Sequence, residues 1–168
     1  VSYAGLVLGG ATFFVAFRAA TPLLGDGQLY LTELQSLEPW GRVDNSPFSF
    51  WLIRTLHGLG PPLELSAEKT YQIYGYASGI LYLVLCVPAA RAFGRNRLSR
   101  GVALGFLLTG GFLQFFFGYV ENYAAVLPAI LLFLYCGCLS LDGRLPLWVT
   151  AGVLGCIIPL HFSLASFL

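Results

Sequence analysis

Apolar positions in this chain come in long unbroken runs rather than in strict alternation, which predicts helices and not strands. The runs cover Val1–Ala20, Tyr71–Ala92, Gly101–Gly118, Asn122–Leu141 and Pro146–Leu168. Each is close to the ~20 residues that carry a helix across ~30 Å of hydrocarbon. The expected fold class is therefore all-α: a polytopic integral membrane protein with about five transmembrane helices, forming a single transmembrane domain over residues 1–168. One long polar interruption, Thr21 to Thr70, breaks the pattern. Inside it, Gln28–Leu37 places Leu29, Leu31, Leu34 and Leu37 near one helical face, and Ser46–Gly58 does the same with Phe48, Trp51, Leu52 and Leu56. Pro47 suits a first helical turn. Two amphipathic helices lying at the membrane surface are expected there.

Composition sharpens this picture. The 168 residues are 57% hydrophobic and only 10% charged, whereas a soluble domain carries about 25% charged residues. The net charge of +1 gives no reason to expect a nucleic-acid partner; the expected surroundings are a lipid bilayer. The opening apolar run has no basic flank before it, so it reads as a retained span rather than a signal peptide. Because the sequence starts at Val1 and lacks Met, a processed chain or a fragment is expected. Cys86, Cys136, Cys138 and Cys156 all fall inside apolar runs, where structural roles are expected rather than disulfides or a zinc site.

The few charges fix an orientation. Four of the nine basic residues, Arg91, Arg95, Arg97 and Arg100, share one short connector. Short cytoplasmic loops collect Lys and Arg, so this connector, the Asp142–Arg144 turn and the N-terminus are placed in the cytoplasm. The 21–70 loop and the tight turn at Glu121 then face outward. Gly75 with Gly79, and Gly101 with Gly105, are spaced for close helix packing. Pro88, Pro128 and Pro159 each free a backbone carbonyl that a neighbour must satisfy.

Acidic groups at membrane depth need a reason. Glu121 stands in Phe117–Tyr123 between two apolar runs, with Asn122, Tyr119 and Tyr123 beside it as hydrogen-bond partners. It reads either as a ligand-binding or catalytic carboxylate or as a cap on the following helix. Asp26, in Gly25-Asp26-Gly27-Gln28-Leu29-Tyr30, reads either as a helix cap or as a surface carboxylate that binds a divalent cation or removes a proton from an acceptor hydroxyl. His161 falls about 15 residues into the last run, in the outer half of the bilayer. It lines a site there or bonds to a neighbouring helix. His57, after the second amphipathic helix, reads equally as a surface residue. Asp26, Glu121 and His161 all map to the same, outer side.

This layout resembles the GT-C class of membrane glycosyltransferases, which use polyprenyl-phosphate sugars. The resembling features are a cytoplasmic N-terminus with one span, a long outer loop with interfacial helices, and an acidic motif near the start of that loop, here Gly25–Tyr30. The Phe117–Tyr123 and Pro159–Ser163 segments are also similar to sequences of that group. The resemblance implies a glycosyltransferase-like protein, or its N-terminal part, in a bacterial cytoplasmic membrane, with a lipid-linked sugar as donor. It implies Asp26 and Glu121 as catalytic residues, Asp26 as the ligand of a divalent metal ion, and Arg54, Tyr30, Asn122, Tyr123 and His161 as substrate contacts. A second class fits the same chain: a non-catalytic accessory subunit of a larger respiratory or photosynthetic membrane complex, its acids serving as caps and its amphipathic helices docking other membrane subunits. The two readings separate on geometry. An enzyme needs Asp26 and Glu121 within reach of one another; a subunit has each carboxylate bonded to a helix N-terminus. A small transporter fits less well, since no run holds a charge near its midplane.

Overall fold

The computed structural model describes residues 2–19, 26–36, 45–59 and 65–167. Among these residues every regular element is a helix. In chain order they are α1 (Tyr3–Ala16), α2 (Gly27–Gln35), α3 (Pro47–Gly58), α4 (Ala67–Phe93), α5 (Arg97–Thr109), a 3-10 segment (Gly111–Phe116), α6 (Val126–Leu141) and α7 (Leu147–Ile157). Two further 3-10 turns follow, Ile158–Leu160 and Phe162–Phe167.

α4 is the central post. Its N-cap Ser66 accepts the Lys69 N–H at 3.2 Å, which satisfies one of the orphan donors of the first turn. α1 runs against it in the opposite sense, with Phe14 beside Gly79 and Gly10 beside Leu83. α5 also runs back along it, and the Tyr82 hydroxyl donates to the Leu107 carbonyl at 3.0 Å. α6 runs parallel to α4: Ala124 packs with Tyr71 at one end, and Leu131 packs with Tyr82 further along. α7 returns along α6, tied by a 2.7 Å contact between the Ser140 and Thr150 hydroxyls.

The apolar runs and the helices do not coincide. Among the described residues only α4 is both long and apolar enough to cross a membrane; α1, α6 and the 147–160 segment are apolar but shorter. The causes are local backbone chemistry. Gly110 adopts an extended conformation, so the third apolar run divides into α5 and a 3-10 segment. The fourth run becomes helical only at Val126, because residues 117–125 form a turn. Pro159 lacks an N–H and clashes with an α-helical backbone, so α7 ends at Ile157 and His161 takes an extended conformation.

The glycine pairs also part company. A Cβ on Gly79 would stand 2.8 Å from the Phe14 ring and 2.9 Å from Phe116 Cβ, so this position is a true close-approach site. A Cβ on Gly75 would meet the Phe115 carbonyl oxygen at 3.3 Å. Gly101 and Gly105 face open space, and α5 buries no residue.

Pro88 illustrates how a missing donor is compensated. Its ring removes the bond that the Val84 carbonyl would accept; the Tyr3 hydroxyl of α1 donates to that carbonyl instead. Tyr3→Phe is therefore expected to cost about 1–3 kcal/mol through an unpaired carbonyl. In a Pro88→Ala background the same change should cost much less, since alanine supplies the missing N–H. Thermal unfolding of the four proteins of this cycle in mild detergent checks it; simple additivity refutes the pairing.

α2 and α3 cover the end of α4 where the chain's acids collect. Pro47 occupies the first turn of α3 as expected. The buried face of α3 carries Ser49, Phe50 and Ile53, while Phe48 and Trp51 stack together at 5.4 Å on the outside. Leu34 of α2 and Ile53 of α3 join Tyr71, Tyr74, Val120 and Ala124 in one cluster. The leucines of both sequence stripes take part in this packing, Leu34 within the cluster and Leu31, Leu52 and Leu56 against it, while Leu29, Phe48 and Trp51 are exposed. Leu37 lies outside the described residues.

Candidate functional site

The site forms where α2, the start of α4 and the 117–125 turn meet. Gly118 makes the turn. Its φ of +82° is a left-handed conformation that an L side chain rarely adopts, and a Cβ there would also crowd the Tyr76 hydroxyl at 3.0 Å. The stretch that follows is pinned by Val120, which is fully buried, and by the Tyr74 hydroxyl, which donates to the Asn122 carbonyl at 3.3 Å. Between these two anchors stands Glu121.

Asp26 sits at the N-cap position of α2 but makes no side-chain cap hydrogen bond. Its side chain is exposed. Glu121 is not a cap either, because α6 starts at Val126 with Ala125 in the capping position. Both cap readings are thereby corrected. In each case the helix begins at a residue other than the one that the polar pattern marks, or without using the carboxylate offered to it.

The Asp26 charge reaches Glu121. Burial holds the Glu121 carboxyl above the ordinary glutamate range, the Asn122 backbone N–H works in the opposite direction, and the Asp26 charge pushes it further up. Tyr30 marks the centre of the group. Its hydroxyl is pushed up to about 12, first by burial and then by Glu121, Tyr123, Asp26 and Glu33. The Tyr30 and Tyr71 rings stack with centroids 6.4 Å apart. Tyr123 in turn stands 5.0 Å from the His161 ring. His161 Nδ1 accepts the Ser163 N–H at 3.2 Å, which leaves Nε2 to carry the proton when the ring is neutral.

Several polar atoms at this end are buried and unbonded: Glu33 Oε2, Tyr71 Oη, Glu121 Oε2 and both amide atoms of Asn122. Buried polar groups are nearly always paired, so a concentration of exceptions on neighbouring segments marks a place built for something else. The same concentration identifies Glu33 and Tyr71, which the sequence pattern did not single out. For Glu33 the one signal is the spacing Asp26, Tyr30, Glu33, which recurs on one face of a helix; Tyr71 has none.

The structure thus brings Asp26, Tyr30, Glu121, Asn122, Tyr123 and His161 to one end of the bundle. Arg54 is different in character: it is a half-buried residue of α3 with interactions of its own, and it is not among the charges acting on Tyr30 or Glu121. His57 is a structural residue, its Nδ1 3.0 Å from the Thr70 hydroxyl. Cys86 and Cys136 are buried thiols, Cys138 is half-buried and Cys156 is exposed, all four free. Among the described residues no three His, Cys, Asp or Glu side chains gather to hold a metal ion. Asp26 and Glu121 offer two carboxylates, enough for a Mg²⁺-type ion only if waters and a substrate phosphate complete its shell.

Further along α4, ~16 Å from Tyr71 at about 1.5 Å per residue, lies an apolar cleft of about 190 Å³. Tyr82, Leu107, Phe112, Leu127, Ile130, Leu131 and Leu134 line it. Comparison of the chain with protein-family models, with curated proteins and with solved structures finds no match.

Proposed function

We propose that this chain is a glycosyltransferase-like integral membrane protein that uses a lipid-linked sugar donor at the outer face. The observation that carries the proposal is the pairing of Asp26 and Glu121. Residues almost a hundred positions apart place carboxylates within electrostatic reach of each other, and neither is spent on a helix cap. The accessory-subunit alternative requires the caps, and nothing specific favours it.

The membrane setting is supported by what the bundle leaves uncovered. α5 buries nothing, and Leu98 and Phe106 are 79% and 76% exposed. Trp148 on α7 is 75% exposed. Apolar surface of this extent is unfavourable in water and natural in lipid. In the proposed orientation the Arg91–Arg100 connector is cytoplasmic, and the α2–α3 end faces outward.

In the proposed mechanism the exposed Asp26 removes the proton from the acceptor hydroxyl. Glu121, half-buried, positions the substrate. The buried, unbonded Glu121 Oε2 fits such a role. A divalent ion held at Asp26 would supply positive charge against the donor phosphate as it departs. Tyr30, Asn122, Tyr123 and His161 present hydroxyl, amide and ring surfaces to the sugar. The apolar cleft beside Tyr82 is suited to the lipid portion of the donor.

Two experiments test the proposal. Asp26→Asn is expected to abolish sugar transfer from a polyprenyl-phosphate sugar in membranes containing the protein; unchanged turnover removes Asp26 from the mechanism. For the orientation, Gln28→Cys should react with a membrane-impermeant maleimide on intact cells, and Arg95→Cys only after the cells are opened. The reverse pattern overturns the outward site.

A further inference from the structure

We infer that the Arg91–Arg100 connector and the exposed face of α5 bind one anionic phospholipid, with its headgroup phosphate on Arg95 and Arg97 and the start of an acyl chain in the groove at Gly101. The inference goes beyond the transferase reading and rests only on the bilayer setting. Its first ground is the distribution of charge. Between Lys69 and Glu121 the chain has no Asp or Glu, so Arg91, Arg95, Arg97 and Arg100 bring positive charge without a local counter-charge. At the same end of the bundle the turn between α6 and α7 adds Asp142 and Arg144, which offset one another.

The connector holds these groups in place. Asn96 Oδ1 accepts the Ser99 N–H at 2.8 Å, and Ser99 Oγ accepts the Asn96 N–H at 3.1 Å, a reciprocal cap on α5. Arg100 folds back, and its Nε donates to the Gly94 carbonyl at 3.0 Å. A Cβ on Gly94 would stand 2.5 Å from the Arg100 backbone N, so the turn is tightly closed. Arg100 is thus partly spent on the turn, while Arg95 and Arg97 are exposed beside it. Next to Arg97 the helix offers a groove. Arg97, Leu98, Gly101 and Val102 share one face at i, i+3 and i+4 spacing and line an open hollow of about 570 Å³. Nothing stands within 4 Å of the Gly101 Cβ position, and Leu98 and Val102 are exposed. Val102 lies about 7 Å beyond Arg97 along the helix axis.

The hollow therefore joins a positive mouth to an apolar trough, and that combination selects the occupant. Arginine clusters beside a membrane helix attract anionic headgroups, and the guanidinium fork matches a pair of phosphate oxygens. Inorganic phosphate would satisfy the arginines and leave Leu98 and Val102 uncovered. An apolar helix from a second copy of the chain would cover the leucine and valine and leave the arginines without counter-charge. A phospholipid of net negative charge carries both halves on one molecule, its phosphate at the end where the acyl chains begin.

Native mass spectrometry of the full chain released from mild detergent tests this, with phosphatidylglycerol and phosphatidylcholine of identical acyl chains as probes. Phosphatidylglycerol should bind about tenfold or more tightly, at roughly fivefold for each arginine engaged. Arg97→Gln should cut that ratio about fivefold. Gly101→Leu keeps every charge and fills the hollow, and should weaken phosphatidylglycerol about fivefold or more. Arg144→Gln removes one charge from the same end and should leave the ratio unchanged. All three positions are exposed, so the variants are expected to fold. Five results each overturn the inference: equal affinities for the two lipids, a ratio that survives Arg97→Gln or falls as far with Arg144→Gln, unchanged binding by Gly101→Leu, displacement of the lipid by inorganic phosphate, or a dimer that Gly101→Leu dissociates. Lipid binding here involves neither a sugar donor nor Asp26 and Glu121, so it can fail while sugar transfer stands, and it can hold where transfer fails.

Discussion

In the proposed mechanism Glu121→Gln is expected to lower sugar transfer by about 10–100-fold, the worth of a hydrogen bond from the substrate to a charged positioning group. The substitution keeps the shape of the side chain and the hydrogen bond from Asn122, but it removes the charge that Asp26 opposes. A second readout separates a specific role from a general loss of fold. The Glu121 carboxyl is held above its ordinary value by burial, with the Asn122 N–H opposing and Asp26 adding to the shift. The folded state therefore binds this proton more tightly than the unfolded chain does. The contribution of the protonated group to stability is present below the ordinary glutamate range and is lost as the pH rises through the raised value. A glutamine side chain cannot ionise, so the variant should lack this decline. Melting temperatures of the two proteins measured from acid to neutral pH should converge at low pH and separate in favour of the variant as the pH rises. Parallel curves would show that Glu121 titrates alike in both states, and would remove the electrostatic pairing on which the site rests.

Gly79→Ala should destabilise the protein by about 1–3 kcal/mol, the range for overpacking a filled interior. The added methyl group would stand within 2.9 Å of the Phe14 ring and of Phe116 Cβ and Cγ. Both rings are locked: Phe14 lies 5.5 Å from Phe116, and Phe116 lies 5.4 Å from Tyr82. Relief requires the 111–116 segment to move, and that segment leads directly into the Gly118 turn and Glu121. The lost stability should therefore be accompanied by lower transfer activity, although Gly79 touches no substrate. Gly101→Ala is the control. Nothing stands within 4 Å of its Cβ position, so the change should be neutral or stabilising by up to about 1 kcal/mol, through helix propensity alone. Denaturation of the three proteins in one detergent checks both. Equal effects at the two glycines would show that the close approach at Gly79 is absent.

The two glycine pairs show where sequence information stops. Gly75–Gly79 and Gly101–Gly105 have the same spacing and the same apolar setting. Only the first meets a partner, because the α4 face that carries it packs against α1 and the 111–116 segment. The carboxylates show the same limit. The polar pattern marks Asp26 and Glu121 as exceptional, and it places them on one side of the bundle through the arginines. It offers caps and catalysis on equal terms. The structure answers only the first half of that choice: Ala125 holds the cap position of α6 and Asp26 makes no cap bond, the former a consequence of where the 117–125 turn is pinned by Val120 and Tyr74. Glu33 and Tyr71 escaped notice because burial without a partner is a property of neighbours, not of a residue type.

Local pattern was enough for the helical class, the amphipathic helices that begin near Gln28 and Pro47, and the charge asymmetry between the two ends. Periodicity, run length and charge are properties of neighbouring positions along the chain. Packing settled which glycines lie in contact, how Val84 is satisfied across from Pro88, and which polar atoms at the acidic end are left unbonded. Those outcomes depend on distances between segments tens of residues apart, and no local pattern encodes such distances.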